Sequence, residues 1–290
     1  MHRMNRPLFF VSDLHGNVSR YEKLFGQIEK NRPRAVFFGG DLLPSSLVYR
    51  AHSQAEPQNF VDAFLASSLR SLKDSLKSYY PEIFLILGND DPRKEEASFL
   101  ELEAEGLLHY MHMKKHPLDD WMVYGYAMVP PTPFMLKDWE RYDVSRFVDP
   151  GCIHPTEGFR TVPPDVDVEF TTIKGELEQL AGDDDLSKAI FLFHSPPYRS
   201  KLDRAGLDGV MVDHVPVDVH VGSMAISEFI EKRKPMLSLH GHIHESARIT
   251  GAWKEKIHQT MAYSAAHEGP GLALVQFTSR CLMSADRILL

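Results

Sequence analysis

Cysteine is nearly absent from this chain: Cys152 and Cys281 are the only two in 290 residues, and they lie far apart in sequence. That excludes a disulfide framework and a thiolate zinc site, and it leans toward a reducing, cytoplasmic compartment. No apolar run approaches membrane-spanning length, and the first strand-like run follows Arg6 so closely that a signal peptide has no room before it. Positive charge is not in excess. The net charge is −8, and lysine and arginine do not cluster between aromatics, so no basic field is offered to a nucleic-acid backbone. A small substrate is expected rather than a polynucleotide. The Gly-rich turn that would bring backbone amides to a diphosphate after the first strand is also missing, which sets aside a nucleotide-cofactor fold. With no repeat or low-complexity tract and 43% hydrophobic residues, the expectation is a single domain over residues 1–290. Nothing in the chain speaks to its oligomeric state.

What the chain does contain is a series of short clusters rich in metal ligands: Asp13-Leu14-His15-Gly16, Gly39-Gly40-Asp41, Gly88-Asn89-Asp90-Asp91, His194 in Phe193-His194-Ser195, and Gly241-His242-Ile243-His244. Carboxylate, imidazole and amide oxygen are ligands of borderline divalent ions such as Mn, Fe, Ni and Zn. A closed structural site draws mainly on thiolate, so a cysteine-free set points to an open site with room for water and substrate. Each cluster also ends a strand-like run: Leu8–Val11, Ala35–Phe38, Ile83–Leu87, Ala189–Phe193 and Met236–Leu239. Short continuous apolar runs read as strands buried on both faces, and ligands gather outside the carboxyl ends of such strands.

In this order and context the chain resembles the calcineurin-like metallophosphoesterase superfamily, whose pattern is Asp-x-His, Gly-Asp, Gly-Asn-His-Asp/Glu, His and Gly-His-x-His. The resemblance spans Asp13 to His244. It implies an α/β (α+β) fold, a four-layer sandwich of two mixed sheets flanked by helices. It also implies two divalent metal ions. One would be held by Asp13, His15 and His244, the other by Asn89, His194 and His242, with Asp41 bridging them. A bridging carboxylate makes physical sense, because two dications about 3.5–4 Å apart need negative charge between them. The implied reaction is in-line attack of a metal-bound hydroxide on phosphorus.

The chain departs from the pattern at Asp90, where the family's histidine, often assigned to the leaving group, would stand. An aspartate with an ordinary pKa of about 3.9 opposes phosphate binding unless it is kept protonated. Either Asp90 is a neutral acid, or it orients a metal-binding imidazole; the second is favoured, because carboxylates commonly fix such rings. Asp91 is open to the same readings, or to capping the turn at Pro92. Some branches of the superfamily lack that histidine and look hydrolytic, frequently on diesters, so the resemblance implies a small phosphodiester as substrate, with a phosphomonoesterase (a nucleotide or protein phosphatase) or a non-catalytic metal-binding regulator as alternatives. His240, before Gly241-His242, and His267, in Ala266-His267-Glu268-Gly269, could each approach the metals or act as a substitute acid; both are read as structural, and His267 is kept as the catalytic candidate to test.

Helical spacing places Tyr21, Leu24, Phe25 and Ile28 on one face after Asn17, an N-cap candidate. Similar spacing marks residues 60–80 and 223–234, and further strands are expected at Trp121–Tyr124, Ile257–Met261 and Leu272–Phe277. Residues 129–167 are proline-dense and predict a stiffened loop insertion, a candidate lid. Within it, Trp139 either stacks on substrate or anchors the loop, and Lys137, Arg141 or Arg160 are candidates to meet phosphate. Tyr198, Arg199, Lys201 and Arg204 form a second candidate cationic group.

Overall fold

The computed structural model describes residues 6–44, 60–278 and 281–290. Residues 1–5, on which the signal-peptide expectation rests, and His52 lie outside the described residues. In chain order the strands are β1 (Pro7–Val11), β2 (Ala35–Gly39), β3 (Glu82–Ile86), β4 (His109–Tyr110), β5 (Lys114–Leu118), β6 (Trp121–Tyr126), β7 (Ala189–Phe193), β8 (Met211–Val212), β9 (Val215–Pro216), β10 (Leu237–His240), β11 (Lys254–Ile257), β12 (Thr260–Ser264), β13 (Ala273–Thr278) and β14 (Cys281–Leu289). The α-helices are α1 (Val18–Asn31), α2 (Ser67–Leu76), α3 (Glu96–Ala104), α4 (Ile173–Ala181), α5 (Met224–Arg233) and the single turn α6 (Ser246–Thr250).

The strands form two six-stranded mixed sheets, ordered β14-β13-β1-β2-β3-β4 and β11-β12-β10-β7-β6-β5. In the first, β1 to β4 run parallel while β13 and β14 return antiparallel at one edge. In the second, β12, β10, β7 and β6 run parallel and the edge strands β11 and β5 are antiparallel. The two sheets meet through their inner faces, where Phe277 of β13 lies against Tyr263 of β12 with ring centroids 5.8 Å apart. Helices cover the outer faces. Tyr21, Leu24 and Ile28 bury one side of α1, and Tyr21 packs on Phe60 and Phe64. On the other sheet, Phe229 of α5 meets Phe191 of β7 edge-on at 5.0 Å. This is the expected architecture, and its parallel strands are the fully apolar runs seen in the sequence because both of their faces are covered.

Helix starts follow their caps. The Asn17 side chain accepts from the Arg20 amide, Thr172 from Gly175 and Ser223 from Ile226, each satisfying an otherwise orphan N–H. The expected helix over 60–80 is present but compound: Phe60–Ala66 is a π-helix that continues into α2. One expectation is corrected. Ile257–Met261 is not a strand but the crossing point of the β11–β12 hairpin, whose turn holds His258 at φ 53. The segment holds no glycine, proline, asparagine or aspartate, so no turn signal marks the reversal. Among the described residues no helix is long and apolar enough to cross a membrane.

The proline-dense segment has neither helix nor extended strand. Isolated bridges pin it, Val129 to Glu140, Leu136 to Phe159 and Tyr142 to Thr172. Beneath it, Lys137 and Glu140 are fully buried and paired at 2.6 Å, and Arg141 meets Glu176 at 3.3 Å. Trp139 is fully buried too, its Nε1 donating to the Asp91 carbonyl at 2.8 Å. The tryptophan is therefore an anchor that ties the insertion to the third cluster, and the stacking role is corrected.

Candidate metal centre

The clusters at the ends of β1, β2, β3, β7 and β10 converge on one edge of the two sheets. Their loops are laced to one another by backbone hydrogen bonds: Asp13 N–H donates to the Gly40 carbonyl, His15 N–H to Asp41 and Gly241 N–H to His194, each at 2.9 Å. Such tight reversals demand unusual dihedrals. Asp13, His15, Asp41 and His242 all have positive φ, at 57°, 47°, 53° and 74°. Aspartate and histidine tolerate this region better than most residues, yet each such position costs free energy that the surroundings must offset. Two glycines permit the approach. A Cβ on Gly88 would sit 2.3 Å from Asp41 Oδ1 and 2.7 Å from His194 Nε2, and one on Gly241 would sit 2.0 Å from Ser12 Oγ.

The side chains form two groups that share a member. Asp13, His15, Asp41 and His244 each offer a ligand atom within 4.8 Å of the others, and so do Asp41, His194 and His242. Asn89 joins the second group, its Oδ1 lying 3.0 Å from His194 Nε2. His15 Nε2 and His244 Nε2 face each other at 3.2 Å, and His244 Nε2 lies 3.2 Å from Asp13 Oδ1. The Asp13 carboxylate also accepts from the His242 amide at 3.0 Å. His194 Nδ1 donates to the Gly39 carbonyl at 2.7 Å, which leaves Nε2 for the interior of the cluster, 3.3 Å from Asp41 Oδ2.

This donor set fits divalent cations. Burial disfavours charge on His194, but Asp41 outweighs it and pushes the imidazole pKa up to about 10. His244 is likewise buried, yet Asp13 pushes it up to about 9. Burial also works against the carboxylate of Asp13, and its hydrogen bond with His244 brings its pKa down to about 2. Asp41, bonded to His194, is held well below the usual carboxylate range against the same burial. The cluster thus concentrates buried negative charge and draws in compensating positive charge, which a divalent ion supplies in compact form. His242 is pushed down to about 3 by burial and by His194, so it stays neutral, the form in which imidazole binds metals.

Asp90 sits beside the cluster, its Oδ2 3.7 Å from His15 Nδ1 and its Oδ1 accepting from Asn89 Nδ2 at 3.0 Å. Its amide donates to Asp41 Oδ1 at 2.8 Å. The negative charge of Asp41, then burial, pushes Asp90 up to about 7. Asp91 is placed differently. Fully buried, it accepts from the amides of Leu42 (2.9 Å), Leu43 (2.7 Å) and Gly88 (2.9 Å), so it staples the second cluster to the third instead of capping the turn at Pro92 or facing substrate. His267 is half-buried near Arg287 and Arg20, and burial followed by those cations depresses its pKa. It is not among the residues lining the cavity described below. His240 is fully buried between the Ser195 carbonyl at 2.9 Å and Ser238 Oγ at 2.8 Å, in the structural role expected.

A cavity of about 500 Å³ opens over the cluster, with Asp41, Asn89, Asp90, His242 and His244 at its floor. Its walls come from the proline-dense insertion and from residues 198–224. The second wall is held by Asp203, fully buried, which accepts from the Arg199 amide at 2.9 Å and faces His220 Nδ1 at 2.9 Å. Asp143 ties the two walls together, accepting from Ser223 Oγ and the Met224 amide, both at 2.6 Å. The cations nominated from sequence are employed elsewhere: Lys137 and Arg141 in the buried pairs above, Arg204 on Asp208 at 2.5 Å, and Arg199 over the Tyr198 ring. Arg160 and Lys201 do not line the cavity either.

Sequence reading missed Arg20, which donates to the Asp13 carbonyl at 2.6 Å and to the Gly269 carbonyl at 2.5 Å and so braces the first cluster from α1. No motif marks it. It also missed the second wall, although the alternation Val215, Val217, Val219, Val221 was a usable signal.

A family model for calcineurin-like phosphoesterases matches residues 6–246. No curated protein matches the chain. Among solved structures, TT1561 of Thermus thermophilus is similar with a TM-score of 0.57 at 16% identity, covering 98% of each chain. A dimetal phosphatase from Danio rerio is similar with a TM-score of 0.52 at 11% identity, again covering 98% of each. At such identities the likeness shows the shared fold.

Proposed function

The chain belongs to the calcineurin-like phosphoesterase family, metal-dependent hydrolases of phosphoric esters, and from that premise we propose that it cleaves a small phosphodiester. The observation that carries the reading is the pair of donor groups sharing Asp41, which the family's pattern requires and the fold brings together. Asp13, His15 and His244 would hold one divalent ion and Asn89, His194 and His242 the other, with Asp41 between them; Mn, Fe, Ni and Zn all suit these donors. Bound there, such ions supply an activated water and neutralise phosphoryl oxygens.

The chain's own residues do the positioning. The Gly39 carbonyl fixes His194 with Nε2 inward, and the Asp90 carboxyl stands beside His15 Nδ1, where it orients that ring. Asp91 keeps the loops of Asp41 and Asn89 in register by holding their amides. Asp90 stands in place of the histidine expected in the third motif, and no other histidine beyond His220, His242 and His244 lines the cavity among the described residues. The replacement of that histidine by Asp90 is what leans the reading toward diesters. The partner is a small phosphate ester in place of nucleic acid, in line with the net charge of −8, and the scarcity of cysteine supports a cytoplasmic location.

The test is hydrolysis of bis(p-nitrophenyl) phosphate and p-nitrophenyl phosphate by metal-stripped protein resupplied with Mn, Fe, Ni or Zn, counting bound metal in parallel. Diester turnover with two ions bound is expected. Faster monoester turnover would make the protein a phosphomonoesterase, and two bound ions without turnover of either ester would favour the regulatory alternative.

A further inference from the structure

The chamber above the cluster has a composition unlike that of a nucleotide or polyphosphate site. Among the described residues lining it there is no lysine or arginine, whereas Asp143, Asp149, Asp218 and Glu245 all contribute carboxyl groups. Burial, and after it the negative charge of nearby Asp218, raises the pKa of Asp149. Among the described residues, a second phosphate or a carboxylate on the substrate would meet these carboxylates and no lysine or arginine. Thr132, Ser145, Tyr198 and His220 add neutral polar groups, and much of the rest is apolar, with Pro131, Leu207, Val212, Val217 and Met224 on its sides.

The apolar surface does not stop at the walls. Phe134 and Phe147, from the proline-dense insertion, are 56% and 66% exposed at the rim, and Val210 faces them at 41%. In the adjoining β8–β9 hairpin Met211 and Val215 are also exposed, at 54% and 49%, although they do not line the chamber itself. Large exposed hydrophobic side chains gathered at one mouth, on both insertions that build it, mark a surface that is covered when the protein works. The cavity is of a size that encloses a small organic group, and the rim continues the apolar path outward.

We infer that the substrate is an amphiphile: a phosphodiester with a single phosphate and an extended apolar group that fills this chamber and leaves along the Phe134–Phe147–Val210 rim. This rests on the reading of the ligand cluster given above, which places the phosphate at the chamber floor. The apolar group would be held by burial alone, so affinity rises with its length until the rim is passed. The carboxylates act by exclusion, because any further anionic group on the same chain is forced against them.

The experiment uses phosphinates, which carry the tetrahedral monoanion of a diester but attach both organic groups through P–C bonds, with no P–O–C linkage to hydrolyse. Calorimetric titration of the metal-loaded protein with dimethylphosphinate, methyl(octyl)phosphinate below its micellar concentration, and methyl(7-carboxyheptyl)phosphinate reads binding without turnover. The octyl compound is expected to bind at least about tenfold more tightly than the dimethyl compound. The terminal carboxylate should cancel most of that gain, and Val210→Asp should shrink the octyl preference. Equal affinity for the octyl and dimethyl probes, no binding of the octyl probe, or tighter binding of the carboxylate-bearing chain would overturn the inference. Turnover of activated diesters without any chain-length preference sinks the amphiphile alone. A strong preference without turnover keeps the chamber assigned and sinks the reaction.

Discussion

The floor and the walls of the cavity are made by contrasting means. At the floor, Asp13, His15, Asp41 and His242 stand on short loops at strand ends, with left-handed backbone, near-contact glycines and hydrogen bonds from loop to loop. The walls are long insertions without regular secondary structure beyond the β8–β9 hairpin, pinned by acids such as buried Asp203 and half-buried Asp143 and presenting apolar side chains to the opening. Residues packed as closely as those of the floor cannot be exchanged without moving several loops at once. A wall of valine, proline and phenylalanine can be exchanged piece by piece. On the proposed function, rigidity would sit where atoms react and tolerance where the organic group is recognised.

That contrast can be broken most sharply at Asp41. Asp41→Asn removes the charge shared by both donor groups, and phosphodiester turnover should fall about 100- to 1,000-fold or more, with metal stoichiometry falling beside it and far-UV circular dichroism unchanged. Unchanged turnover with two ions bound would remove Asp41 from the shared position. Gly88→Ala probes the rigidity of the floor by a single methyl. Because its Cβ would meet Asp41 Oδ1 at 2.3 Å, the expected cost is about 1–3 kcal/mol of unfolding free energy together with lost metal binding. A fully active, equally stable Gly88→Ala protein would show that the floor yields after all.

Asp90→Ala should weaken metal binding or activity about 10- to 100-fold, because His15 loses the carboxyl beside Nδ1. Asp90→His sharpens the same point: a rise in activity on monoesters with poor leaving groups would show that a missing acid limits the reaction. The smallest effect concerns His240, whose pKa burial pushes down to about 4 from an ordinary 6.5. The unfolded chain binds this proton below 6.5 and the folded chain does not until about 4, so the stability it contributes is present above 6.5 and lost as pH falls through that window. For metal-free protein, unfolding curves between pH 7 and 4 should have a shallower pH slope in His240→Asn than in the parent; identical slopes would mean that another group titrates.

Much of the fold could be read from residues in order. Continuous apolar runs such as Ile83–Leu87 are strands because parallel strands covered on both faces need no alternation, and Asn17 and Ser223 start helices because their side chains reach the amides three residues on. The β11–β12 turn was not readable, since Ile257–Met261 holds no glycine, proline, asparagine or aspartate and only the left-handed His258 marks the reversal. The cationic candidates failed for a related reason. Lys137 and Arg141 look like phosphate binders in a polar loop, but only the packed structure supplies Glu140 and Glu176 as buried partners within reach.

Ligand identity was set locally, by Asp-x-His, Gly-Asp, Gly-Asn and Gly-His-x-His at the ends of apolar runs, because a metal's choice of donor depends on side-chain chemistry that every residue carries with it. Which donors meet, that Asp91 holds backbone amides while Asp90 faces the cavity, and that the walls are apolar and free of lysine and arginine among the described residues, were decided only by tertiary structure. Those outcomes depend on distances between segments far apart in the chain, and such distances exist only once the two sheets have packed.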